Sequence, residues 1–101
     1  MIDVAPQYLE IILKILRKNI PDLEVRAFGS RVTGTAKDYS DFDLAIVGKE
    51  KLFDKTFYAL KENFEESDLP FRVDVLDWSR ISKEFKKVIE KQYEIIQNAK
   101  A

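Results

Sequence analysis

The sequence predicts an α/β protein of one domain, residues 1–101, with a small mixed β-sheet and helices packed on one face. Three observations lead there. Apolar residues recur at helical spacing near the start of the chain. Three short runs then alternate apolar and polar residues with period two. Further helix-spaced sets lie between and after those runs. At 101 residues the chain suffices for one core and one domain.

Leu9, Ile12, Leu13, Leu16 and Ile20 define the first helix, with Pro6 in its first turn and Asn19 and Pro21 closing it. A strand over Glu24–Phe28 follows, then a polar stretch from Gly29 to Ser40, then a strand over about 41–47 that Gly48 ends. Phe53, Phe57, Leu60 and Phe64 mark a second helix, and Ser67-Asp68-Leu69-Pro70 a turn. Phe71 to Asp77 alternates as a third strand. Ser82 then caps a last helix carrying Phe85, Val88, Ile89, Gln92 and Ile96 on one face. The predicted order is helix, strand, strand, helix, strand, helix.

Composition narrows the chemistry. With no cysteine there is no thiolate chemistry and no disulfide framework; with no histidine, the usual zinc hydrolases and histidine acid–base enzymes are excluded. No apolar stretch approaches the roughly 20 residues that span a bilayer, and the N-terminus does not read as a signal peptide, so cytoplasm is the expected location. A net charge of −1 offers no global attraction to nucleic acid, and direct nucleic-acid binding is not expected.

The chemistry concentrates at Gly29-Ser30 and Asp41-Phe42-Asp43. On a strand, Asp41 and Asp43 project from the same side with Cα atoms about 7 Å apart. Phe42, Leu44 and Ile46 point the other way into a core. A glycine-led turn beside two carboxylates is where a triphosphate lies against backbone N–H groups without interference from a Cβ. In the third strand Val73 and Val75 share the core face, so Asp74 and Arg72 face the opposite way, and Asp77 has the parity of the valines. If that strand lies beside the second, Asp41, Asp43 and Asp74 converge. Divalent metal relieves their repulsion, and two Mg²⁺ ions roughly 3.5–4 Å apart suit the set, Asp41 and Asp43 bridging them and Asp74 completing one. An isolated Asp-x-Asp is usually solvated strand-end polarity and an isolated Gly-Ser only a turn; the combination carries the reading.

Phe28-Gly29-Ser30-Arg31, Gly34, Ser40-Asp41-Phe42-Asp43-Leu44 and Asp74 together resemble the signature of the nucleotidyltransferase superfamily that includes DNA polymerase β, in the compact form of the minimal nucleotidyltransferases (MNT). Thr33 departs from the arginine that many members carry before the loop glycine. The resemblance implies Mg²⁺-dependent transfer of a nucleoside monophosphate, usually AMP from ATP, to an acceptor hydroxyl. It also implies a HEPN-domain partner, with the MNT member as antitoxin of a toxin–antitoxin pair and a tyrosine of the toxin as acceptor. Asp41, Asp43 and Asp74 are then the catalytic, metal-holding residues, and Gly29, Ser30, Arg31 and Ser40 the nucleotide-binding ones.

Other roles are open at this point. Arg31 reaches a phosphate or is a surface arginine, Ser40 bonds a phosphate or orders its loop, and Arg72 meets the acceptor or screens the carboxylates. Phe57, Phe64 and Phe85 are spaced for core packing and not as a base-stacking platform; Tyr39, two residues before Asp41, is the aromatic within reach of a base. The residues after Asp77 suffice for one helix and a short tail, so acceptor recognition is expected from a partner or a second copy of the chain. Two other functions stand beside protein modification: a non-catalytic module that neutralises its partner by occlusion, and a small-molecule nucleotidyltransferase with a separate acceptor-binding subunit.

Overall fold

In a computed structural model that describes residues 2–100, the element order is α1 (Pro6–Asn19), β1 (Glu24–Phe28), α2 (Ser30–Thr33), β2 (Phe42–Val47), α3 (Asp54–Glu65), β3 (Val73–Asp77), a 3₁₀ turn (Trp78–Arg80), α4 (Lys83–Lys91) and β4 (Glu94–Gln97). The strands form one mixed sheet in the order β3-β2-β1-β4. β1 runs antiparallel to β2 and to β4, while β2 and β3 are parallel, with α3 as their crossover.

The first sheet face holds the main core. Val25 and Ala27 of β1, Phe42, Leu44 and Ile46 of β2, and Val75 of β3 meet Ile12 and Leu16 of α1 and Leu60 and Phe64 of α3. Burying each of the larger side chains is worth about 1.5–3 kcal/mol. Pro6 opens α1 without a side-chain cap. At its other end the Asn19 amide donates to the Ile15 carbonyl and to Asn63 Oδ1, tying α1 to α3. This is the expected arrangement of helices on one face, and it holds for α1 and α3.

α4 lies elsewhere. Its Ile89 is buried against Phe28 and Ala45 on the second face, the face that carries Asp43, and Trp78, Ile81 and Tyr93 close around them. Arg26 sits between the Trp78 and Tyr93 rings, 4.9 and 4.5 Å from their centroids. The carboxylate face is therefore covered along part of its length and open at the end where β2 and β3 begin.

The last helix is also shorter than its spacing suggests. It starts as expected, with Ser82 Oγ accepting from the Phe85 N–H, but ends at Lys91. Glu94–Gln97 is instead an edge strand on β1. Ile96 packs into the main core and Ile95 stands exposed, the alternation of a strand. The edge of β1 offers unpaired backbone groups that only a strand satisfies. Gln97 then anchors the end, its amide donating to the carbonyls of Ile20 and Leu23. No helix among the described residues is long and apolar enough to cross a membrane.

Candidate active site

Phe28, Asp43 and Asp74 form a row across the second face, because the register pairs Phe28 with Asp43 and Asp43 with Asp74. Adjacent strands lie about 4.8 Å apart, so the two carboxylates rise side by side. The consequence is electrostatic. Burial, then the charges of Asp74 and Asp41, push the Asp43 carboxyl up to about 6, with Arg72 opposing the shift. Asp74 is partly exposed and lines a cavity of about 350 Å³ together with Lys61, Glu65 and Arg72 and the apolar Phe64, Leu69, Phe71 and Val73.

Gly29 closes this row from the β1 side. Its φ is +81°, and a Cβ there would stand 2.2 Å from Asp43 Oδ2. The position thus excludes a side chain twice, by backbone angle and by the carboxylate above it. Gly29 is also the residue before α2, and no side chain caps that turn. Five residues after Gly29, Gly34 ends α2 in the left-handed conformation, its N–H donating to the Ser30 carbonyl.

The other expected nucleotide contacts are placed differently. Arg31 is not a surface arginine. It is 6% exposed, and its guanidinium donates to the carbonyls of Ser40, Asp3 and Asp38 while lying 4.2 Å from the Phe71 ring centroid. Ser40 Oγ accepts from the Lys37 N–H, and its carbonyl serves Arg31, so the serine orders the loop. Arg31 and Ser40 together fix the stretch that delivers Asp41 and Asp43 to β2. Nothing in the local spacing signalled this, since the three acceptors are backbone atoms brought in from distant or irregular segments.

Asp41 is engaged by Arg72, whose guanidinium donates to Asp41 Oδ2 at 2.8 Å. That pair and the surrounding carboxylates raise the Arg72 pKa above its ordinary value. Among the described residues no set of three or more acidic side chains stands ready to hold a metal as it is. The donor chemistry nevertheless fits a hard divalent cation: neighbouring carboxylates on one face, one of them raised to about 6 by burial and by the charge of its neighbours, and an exposed arginine as counter-charge.

This sheet, with acidic residues at the open ends of β2 and β3 and a glycine turn after β1, defines a class, and residues 9–98 match the nucleotidyltransferase domain. The chain belongs to the nucleotidyltransferase family. Within it, the likeness is to the minimal nucleotidyltransferases. Over 96 residues, 95% of this chain and 84% of the relative, it is 50% identical to a probable protein adenylyltransferase, MntA, of Haemophilus influenzae. A toxin–antitoxin crystal structure with AMP-PNP superposes with a TM-score of 0.74 at 28% identity, covering 91% of this chain and 74% of that one. A tri-AMPylated HEPN toxin in complex with its MNT antitoxin, from Shewanella oneidensis, gives 0.68 at 26% identity over 92% and 71% of the two chains.

Proposed function

We propose that this chain transfers AMP from ATP to a hydroxyl of a partner protein, that the partner is a HEPN-domain toxin in the cytoplasm, and that the chain is its antitoxin. The observation that carries the proposal is the row Gly29, Asp43, Asp74: a side-chain-free turn touching one carboxylate, which stands beside a second that lines a cavity. The relatives supply the acceptor class, since one is described as a protein adenylyltransferase and another is bound to an AMPylated toxin.

In this reading the Gly29–Ser30 turn holds the β- and γ-phosphates against backbone N–H groups. Asp41, Asp43 and Asp74 hold Mg²⁺, which when bound supplies charge neutralisation at the phosphates and favours the ionised acceptor hydroxyl. Asp41 must exchange its Arg72 partner to take part, and Arg72 is exposed enough to swing away. The acceptor hydroxyl enters beside Asp74, whose carboxylate takes its proton. Its oxygen bonds to the α-phosphorus, the bond from that phosphorus to the bridging oxygen breaks, and pyrophosphate leaves. Arg31 and Ser40 contribute by fixing the loop between the turn and Asp41.

Incubation with α-labelled ATP, Mg²⁺ and the HEPN partner tests the reading. The partner should gain AMP on a tyrosine, seen as label and as added mass, while the Asp41→Asn, Asp43→Asn double variant folds and transfers nothing. A partner that binds tightly but gains no mass at saturating ATP and Mg²⁺ would replace catalysis with occlusion.

A further inference from the structure

Phe85 is spaced like a core residue yet is 38% exposed, and Val88, on the same side of α4, is 57% exposed. The inner edge of Phe85 rests on Phe28, ring centroids 6.0 Å apart and planes at 81°. Phe28 is the strand partner of Asp43. About two turns on from Phe85, just past the end of α4, the Gln92 amide donates to the Val32 carbonyl of α2. The end of the helix is therefore fastened to the turn that begins at Gly29 and borders the row of carboxylates.

A nucleoside triphosphate held at Asp43 by its phosphates has to put its base down somewhere close by. The other flanks suit a base less well. The cavity at Asp74 is lined by Lys61, Glu65 and Arg72 together with Phe64, Leu69, Phe71 and Val73, and its two aromatic rings are taken up by the main core of the other sheet face. Tyr39 lines a separate cavity of about 320 Å³ with Tyr8, Arg31 and Phe71, and none of the three site carboxylates borders it. Among the described residues, the exposed aromatic in ring contact with a residue of that row is Phe85, on Phe28. We infer that the half-exposed Phe85, with Val88 beside it, is the shelf on which the purine base of the bound nucleotide lies, leaving the Asp74 cavity to the acceptor. The inference rests on the nucleotidyltransferase reading and adds a residue to it. Because every base has a π-face, such a shelf gives affinity without choosing among bases.

The test compares two probes on the full chain in Mg²⁺: ATP, which has a base, and inorganic tripolyphosphate, which does not. Phe85→Leu keeps an apolar contact on Phe28 but removes the flat ring. It should weaken ATP about tenfold, the loss of one stacked base, and leave tripolyphosphate unchanged. Phe85→Trp should restore ATP binding, and Tyr39→Ala should change neither probe. If Phe85→Leu binds ATP as the wild type does, or loses both probes equally, the shelf is wrong and Phe85 is only packing. Loss of ATP on Tyr39→Ala alone would move the base to the loop and overturn it as well. If the wild type binds neither probe, the nucleotide reading itself falls and the shelf with it.

Discussion

The two ends of β3 carry the same residue type and use it in opposite ways. At the exit, Asp77 is 5% exposed and fully employed: it accepts from the backbone N–H groups of Leu52 and Ser79 and from Ser79 Oγ, and Arg80 lies 3.6 Å away. At the entry, Asp74 stands beside Asp43 and lines a cavity, and among the described residues no hydrogen bond or ion pair is made to its carboxylate. One aspartate is satisfied by the fold and supports it. The other is partly exposed beside a like charge, an arrangement that suits a ligand of opposite charge.

The largest expected effect separates these two roles. Asp74→Ala should cut transfer to the partner about a thousandfold or more, roughly 4 kcal/mol of transition-state stabilisation, with the thermal midpoint unchanged or raised. Asp77→Ala should leave the rate within a few-fold and lower stability by about 2–4 kcal/mol, because buried N–H groups lose their acceptor. Rate assays and denaturant titrations on both variants check the pair. A reversed pattern would show that the wrong end of β3 has been given the chemistry.

The two arginines sharpen the same contrast. Arg31 is buried with three carbonyl partners, whereas Arg72 is exposed with one carboxylate. Arg31→Ala should cost about 3 kcal/mol and make residues 34–40 sensitive to protease, and Arg31→Lys should not rescue it, since an ammonium cannot reproduce the planar fork. Arg72→Ala should leave the unfolding midpoint where it is, as exposed ion pairs contribute little.

A further contrast is a pH dependence. The folded chain holds Asp43 protonated up to about pH 6, against an ordinary value of 3.8. Between those values the folded state binds a proton that the unfolded state has released, so stability falls as pH rises through that window and stays lower above it. Asp43→Asn should abolish the fall and be more stable than the wild type at pH 7 by about 1 kcal/mol, discounted for the partial exposure of the site. The two should coincide below about pH 4. Melting curves at pH 4, 6 and 7 decide it, and Mg²⁺ added to the wild type at pH 7 should stabilise in the same direction.

Much of this was legible in the residues, because strand alternation is a local property. The parity that turns Phe42, Leu44 and Ile46 inward puts Asp43 outward, and the same count separates Asp74 from Val73, Val75 and Asp77. A glycine after the first strand and helical spacing in the segments that became α1 and α3 were equally readable. Where spacing fits two structures, it misleads: Ile89 and Ile96 match one helical face, yet Ile96 belongs to a strand, because β1 had an edge to be paired. The structure alone decided which partners each side chain meets. It set Gly29 under Asp43, tied Arg31 to three carbonyls, occupied Asp77 and left Phe85 half in solvent at the rim of the carboxylate row. Periodicity along the chain fixes which way a side chain faces; what it faces depends on segments far away in sequence, and only the folded arrangement brings those together.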